Sequence, residues 1–146
     1  MNVTLVGVDK LREPYLRDGC AIYVKRLAPL LSVRAVDVRA SNPAAEAVAL
    51  LKQCSPGAQI WALDRGGKVL SSEDLARRLQ AVERSGARNL VLVIGGADGL
   101  DASLLRRADL VWSLSKLTFL HEMARLLVLE QLYRAVKINR GEPYHR

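Results

Sequence analysis

Apolar residues run almost unbroken from Val3 to Val8, a short and β-branched stretch that predicts a buried strand. Pro14 suits a helix start, and the segment from Tyr15 to Leu30 is amphipathic at helical spacing. Partly alternating, β-branched residues return over Ser32–Arg39. Asn42-Pro43 then offers a cap and a first-turn proline for a second helix, closed by Ser55-Pro56-Gly57. A third strand is expected over Gln59–Leu63, ending in the turn Asp64-Arg65-Gly66-Gly67.

The alternation continues. Ser71-Ser72-Glu73-Asp74 has capping chemistry, Leu75, Leu79 and Val82 form a buried helical stripe, and Gly86 stops it. Asn89–Ile94 is a continuous apolar strand, followed by Gly95-Gly96-Ala97-Asp98-Gly99, a short helix to about Ala108 and a strand over Leu110–Ser113. A polar loop from Leu114 to Leu120 precedes a last helix, roughly Glu122 to Val136. Strands interleaved with helices imply a single α/β domain on a mostly parallel sheet of five or six strands flanked by helices. The last helix is apolar around more of its circumference than a surface helix tolerates. It lies either central in the core or against a second subunit, and one small sheet favours the subunit.

Composition adds to this. Half of the 146 residues are hydrophobic, enough for a full core without staples. The 22 basic against 15 acidic residues give a net charge of +7, which favours a polyanionic partner, nucleic acid before membrane surface. The excess is spread along the chain, so a binding surface has to be assembled by folding. Cys20 and Cys54 lack CxxC spacing and suitable histidines, which predicts buried thiols in a reducing cytoplasm and no metal site. No stretch approaches the roughly 18 apolar residues of a membrane span, and the apolar start lacks a basic leader, so a cytoplasmic location is expected.

Three segments carry candidate chemistry. The glycine turn after Ile94 lets backbone approach a ligand at the carboxyl end of a parallel strand. It is neither GxGxxG nor a P-loop, and plain turn geometry is an equal reading. The segment Ser113–His121 alternates hydroxyl and bulky apolar residues, either offering backbone to an adenine edge or continuing the strand. The segment Asn139–Arg146 combines an aromatic ring, an imidazole and two guanidiniums, read as an RNA contact or as a basic tail. His121, at a helix start, is expected to be structural.

The order Leu63-Asp64, Ile94-Gly95-Gly96-Ala97-Asp98-Gly99-Leu100, Trp112-Ser113-Leu114-Ser115-Lys116-Leu117-Thr118 and Pro143-Tyr144-His145-Arg146 resembles the ribosomal large-subunit pseudouridine methyltransferase H family of the SPOUT superfamily. The resemblance spans the chain. It implies an α/β fold with a deep C-terminal trefoil knot, a homodimer, S-adenosylmethionine as methyl donor, and N3 of a pseudouridine in helix 69 of 23S rRNA within assembled ribosomes as acceptor. It also implies cofactor contacts at Leu63, Gly96 and the loop Ser115, Lys116, Leu117, Thr118, Phe119 and Leu120. Gly96→Leu is then expected to fill the space of the ligand. Ala97-Asp98 and Leu120 stand where the family commonly has Pro-Glu and Pro, which bears on how preorganised the cofactor loops are.

Methyl transfer from a sulfonium needs chiefly orientation, and a pseudouridine N3 must lose its proton to a base. His145 is the leading candidate for that base, with Tyr144 stacking on or orienting the target and Arg140 or Arg146 holding phosphate. Two other readings fit the charge: a non-catalytic ribosome- or RNA-binding dimer, and a SPOUT enzyme acting on tRNA or another rRNA site.

Overall fold

A computed structural model describes residues 1–144. Strands and helices alternate throughout: β1 (Asn2–Val8), α1 (Pro14–Leu27), β2 (Ser32–Val38), α2 (Pro43–Leu51), β3 (Gln59–Val69), α3 (Ser72–Arg84), β4 (Asn89–Ile94), α4 (Ala102–Arg107), β5 (Leu110–Ser113) and α5 (His121–Asn139). Capping sets several of the starts. Asn42 accepts from the Ala45 amide at 2.9 Å and Ser71 from the Asp74 amide at 3.0 Å, while Pro14 and Pro43 occupy first-turn positions whose amides need no partner.

The five strands form one parallel sheet in the order β2-β1-β4-β3-β5. Leu5 lies between Ala35 and Leu92, and Trp61 between Leu92 and Leu110. Because side chains alternate across a strand, each strand feeds two cores. Val3, Leu5, Trp61, Leu90, Leu92 and Trp112 pack beneath α1, α3 and α5. Val6, Val8, Ile60, Ala62, Val91 and Val93 pack beneath α2 and α4. Covering both faces explains why β1 and β4 read as continuous apolar runs rather than alternating ones.

Two expectations are corrected. The third strand does not end at Leu63. It continues to Val69, and the predicted turn lies inside it: Leu63 and Lys68 both pair with Trp112, and Asp64–Gly67 bulge out between them. The Asp64 carboxylate closes the bulge by accepting from the Gly66 amide at 2.9 Å. Gly67 lets the chain return to β5, since a Cβ there would sit 2.6 Å from the Val111 carbonyl. The last helix also starts earlier and runs longer than expected. It lies against α1 and α3, burying Val128, Leu129, Leu132 and Val136 and leaving Met123, Leu126 and Leu127 half-buried. Among the described residues, no helix is long and apolar enough to cross a membrane.

Candidate active site

A parallel sheet delivers all its carboxyl ends to one rim, and here the segments leaving β3, β4 and β5 adjoin. They enclose a cleft of about 930 Å³. Its apolar wall comes from Leu63, Ile94 and Trp112, its sides from the Asp64–Gly66 bulge and the turn after β4, and its mouth from the loop after β5 and the first turn of α5.

The turn after β4 is built from main chain. The Gly96 carbonyl accepts from the Gly99 amide at 3.1 Å, and a Cβ on Gly95 would meet the Gly99 carbonyl carbon at 2.8 Å. Gly96 lines the cleft, yet a Cβ on it would point at Val8 Cγ1, 3.0 Å away, with Glu46 beyond. A leucine at 96 would start its side chain toward Val8, whereas sequence reasoning expected it to fill the cleft. The Val8 side chain on β1 or the turn itself would have to give way.

β5 stops at Ser113, so the segment from Leu114 to Leu120 is a loop and not a continued strand. The Ser113 hydroxyl donates to the Ser115 carbonyl at 2.9 Å, and the Ser115 hydroxyl accepts from the Leu117 amide at 3.1 Å. From Ser115 through Phe119, no main-chain group pairs with another main-chain group among the described residues. Thr118 accepts from the Arg65 guanidinium at 2.6 Å, which ties this loop to the β3 bulge across the mouth. Leu117, Phe119 and Leu120 are exposed large apolar side chains at the same mouth.

Two buried charges fix where the loop hands over to α5. Glu122 accepts from the amides of Arg12 and Glu13, so a side chain on α5 satisfies donors at the start of α1. Burial pushes its carboxyl up, but the two amides and the nearby His121 and Arg125 charges outweigh burial and hold it below the usual glutamate value. Arg125, only 3% exposed, donates to Asp37 at 2.6 Å, to the Val8 carbonyl at 2.9 Å and to the Asp9 carbonyl. Asp9 is a non-glycine residue with φ of 69°, held in that conformation at the end of β1. Gly7 makes room for the guanidinium, because a Cβ there would lie 2.4 Å from Arg125 Nε.

Of the residues singled out from sequence, Leu63, Gly96, Ser115, Leu117, Thr118, Phe119 and Leu120 converge on the cleft. Lys116 is exposed and does not line it. Tyr144 lies elsewhere: its ring packs edge-on against Tyr133, about twelve residues or ~18 Å along α5 from His121. Arg140 is exposed and pairs with Glu142 at 2.7 Å. His145 and Arg146 lie outside the described residues. Sequence reasoning read Asp64–Gly67 as a turn and His121 as structural; Asp64, Arg65, Gly66 and His121 all line the cleft. The cysteines carry no evident chemistry: Cys20 is buried, Cys54 half-buried, and burial pushes both thiols up, away from the reactive thiolate.

Comparison with known proteins agrees with this architecture. The family described as "Predicted SPOUT methyltransferase" matches residues 1–145. The chain is similar to proteins named "Ribosomal RNA large subunit methyltransferase H" from Symbiobacterium thermophilum, at 44% identity, and Carboxydothermus hydrogenoformans, at 40%, with 100% of each chain covered in both cases. Among solved structures, it resembles a probable methyltransferase from Bordetella pertussis, with a TM-score of 0.61 and 12% identity over 92% of this chain and 96% of that one. A probable methylase family protein from Haemophilus influenzae gives a TM-score of 0.59 and 13% identity over 99% and 70%. At those identities the structural likeness speaks for the fold.

Proposed function

The chain belongs to the SPOUT methyltransferase family, and from that premise we propose that it methylates N3 of a pseudouridine in helix 69 of 23S rRNA, on assembled ribosomes, as a homodimer using S-adenosylmethionine. It is an rRNA methyltransferase like its full-length relatives. In this reading the family's deep trefoil knot ties together the segments that form the cleft.

The observation that carries this reading is the cleft itself. Its apolar wall suits a purine ring, and the main-chain groups of Lys116, Thr118 and Phe119, which bond no other main chain among the described residues, can satisfy that ring's hydrogen-bonding edge without side-chain chemistry. When bound, the sulfonium supplies an electrophilic methyl group. The residues of this chain do the rest by position. Leu63, Gly96, Ser115 and Thr118 would hold the adenosyl group, with Leu117, Phe119 and Leu120 supplying apolar surface at the mouth. His145 accepts the N3 proton, and Arg146 and Arg140 hold phosphate.

Tyr144 is packed a long way from the cleft of its own chain, which supports a tail that serves the cleft of the second subunit. The dimer face is α1 with α5. Tyr15 and Ile22 stand 60% and 49% exposed on α1, and Gly19, on the same stripe, would place a Cβ 3.1 Å from Leu126 of α5. Met123 and Leu127 on α5 are half-buried, and exposed apolar side chains such as Tyr15 and Ile22 are of the kind a partner covers.

The test is mass mapping of 23S rRNA after incubating the protein and S-adenosylmethionine with ribosomes that lack the modification. One methyl group should appear on the helix 69 pseudouridine. Cofactor binding without any transfer would favour a ribosome-binding role, and transfer to tRNA would move the substrate.

A further inference from the structure

We propose that Tyr144 is a docking residue, seated in a socket made by Tyr23, Tyr133 and Arg134, which positions the adjoining tail for methyl transfer instead of stacking on the target base. This rests on the methyltransferase reading above.

The geometry begins at the end of α5. The Gly141 amide donates to the Ile138 carbonyl at 3.0 Å and the Glu142 amide to the Lys137 carbonyl at 2.9 Å, the paired bonds of a helix stop that turns the chain back on itself. Gly141 has the φ of 70° that this stop demands. Glu142 then bonds Lys137 and Arg140, so the reversal is pinned by charge as well as by backbone. The returning chain lays Tyr144 on the helix it has just left.

Three contacts hold that ring. Its hydroxyl lies 3.1 Å from the Tyr23 hydroxyl on α1. The Arg134 guanidinium sits over its face, 5.1 Å from the centroid, and the Tyr133 ring meets it edge-on at 4.7 Å and 83°. Tyr133 is itself backed by Tyr23 at 6.0 Å, and Glu130 holds Arg134 in place. Burial, then the Tyr23 hydroxyl, pushes the Tyr144 phenol up to about 12, so it remains a neutral partner at any working pH. A ring that stacks on RNA needs a free face, and here Arg134 occupies one face while Tyr133 meets the ring at right angles. The socket thereby fixes the chain at Tyr144, the point from which the segment that follows is positioned.

A double-mutant cycle with Tyr23→Phe and Tyr144→Phe tests this in the full-length protein. The readouts are single-turnover methylation on ribosomes lacking the modification, cofactor affinity by calorimetry, and hydrogen exchange over residues 140–144. Each single variant should slow methylation about fivefold with unchanged cofactor affinity, and the double variant should be no slower than either. Exchange should quicken in all three. Tyr144→Ala should lose more than Tyr144→Phe, because it empties the socket.

Full activity of Tyr23→Phe beside a loss in Tyr144→Ala would return Tyr144 to base stacking and overturn the dock. So would additive effects, or cofactor affinity and thermal midpoint falling together with rate. If the unaltered protein methylates nothing, the methyltransferase reading fails on its own, and exchange still decides: unchanged protection in Tyr23→Phe refutes the socket.

Discussion

Arg125 is the side chain on which the handover from loop to helix depends. It spends three donors on Asp37 and on the carbonyls of Val8 and Asp9, and those two carbonyls have few alternatives at the buried end of β1. Arg125→Met should therefore lower the unfolding free energy by about 2–3 kcal/mol, read by urea denaturation, most of it from stranded carbonyls rather than from the half-exposed Asp37. Gly7→Ala should cost about 1–3 kcal/mol by overpacking, with Arg125 displaced rather than removed. Glu122 adds a pH signature. Its carboxyl is depressed in the fold, so it contributes stability above the usual glutamate value, about 4.3, that is lost as pH falls through its lower folded value. Thermal midpoints of the unaltered protein should drop more steeply below about pH 4.3 than those of Glu122→Gln, which cannot titrate. Parallel curves would remove Glu122 as a source of acid sensitivity.

The strands and helices were legible because each has a local cause. Asn42, Ser71 and the prolines mark starts, and the apolar runs of β1 and β4 mark burial on both faces. Where sequence reading failed, the cause was long-range. Asp64–Gly67 has every mark of a terminal turn, and only the backbone of β5, nearly fifty residues later, pulls the chain back into the sheet. Arg65 is likewise invisible as a site residue until Thr118 faces it across the cleft. The direction of a Cβ on Gly96 could not be read from a glycine pattern either. Gly67→Val should detach the second half of β3 from β5, quickening hydrogen exchange at Lys68, Val69 and Ser113 while β4 keeps its protection. Gly96→Leu should weaken cofactor binding in calorimetry together with a lowered thermal midpoint, because it strains the turn against Val8; lost affinity at an unchanged midpoint would instead indicate direct filling of the cleft.

For the molecule as a whole, the proposed dimer face on α1 and α5 and the net charge of +7 would serve different partners. Ile22→Glu should convert a dimer to monomers in sedimentation and abolish rRNA methylation while cofactor binding persists, since the cleft is formed within one chain. Binding to ribosomes should weaken steeply as salt rises, whereas dimerisation through an apolar face should not. The strand order has a bearing on biosynthesis too. β1 is flanked by β2 and β4, and β3 by β4 and β5, so every central hydrogen-bonding row waits for a strand made later. A chain released before Asn89 presents three bare inner strand edges at once, one on β1 and both of β3, the circumstance in which chaperone capture competes with aggregation.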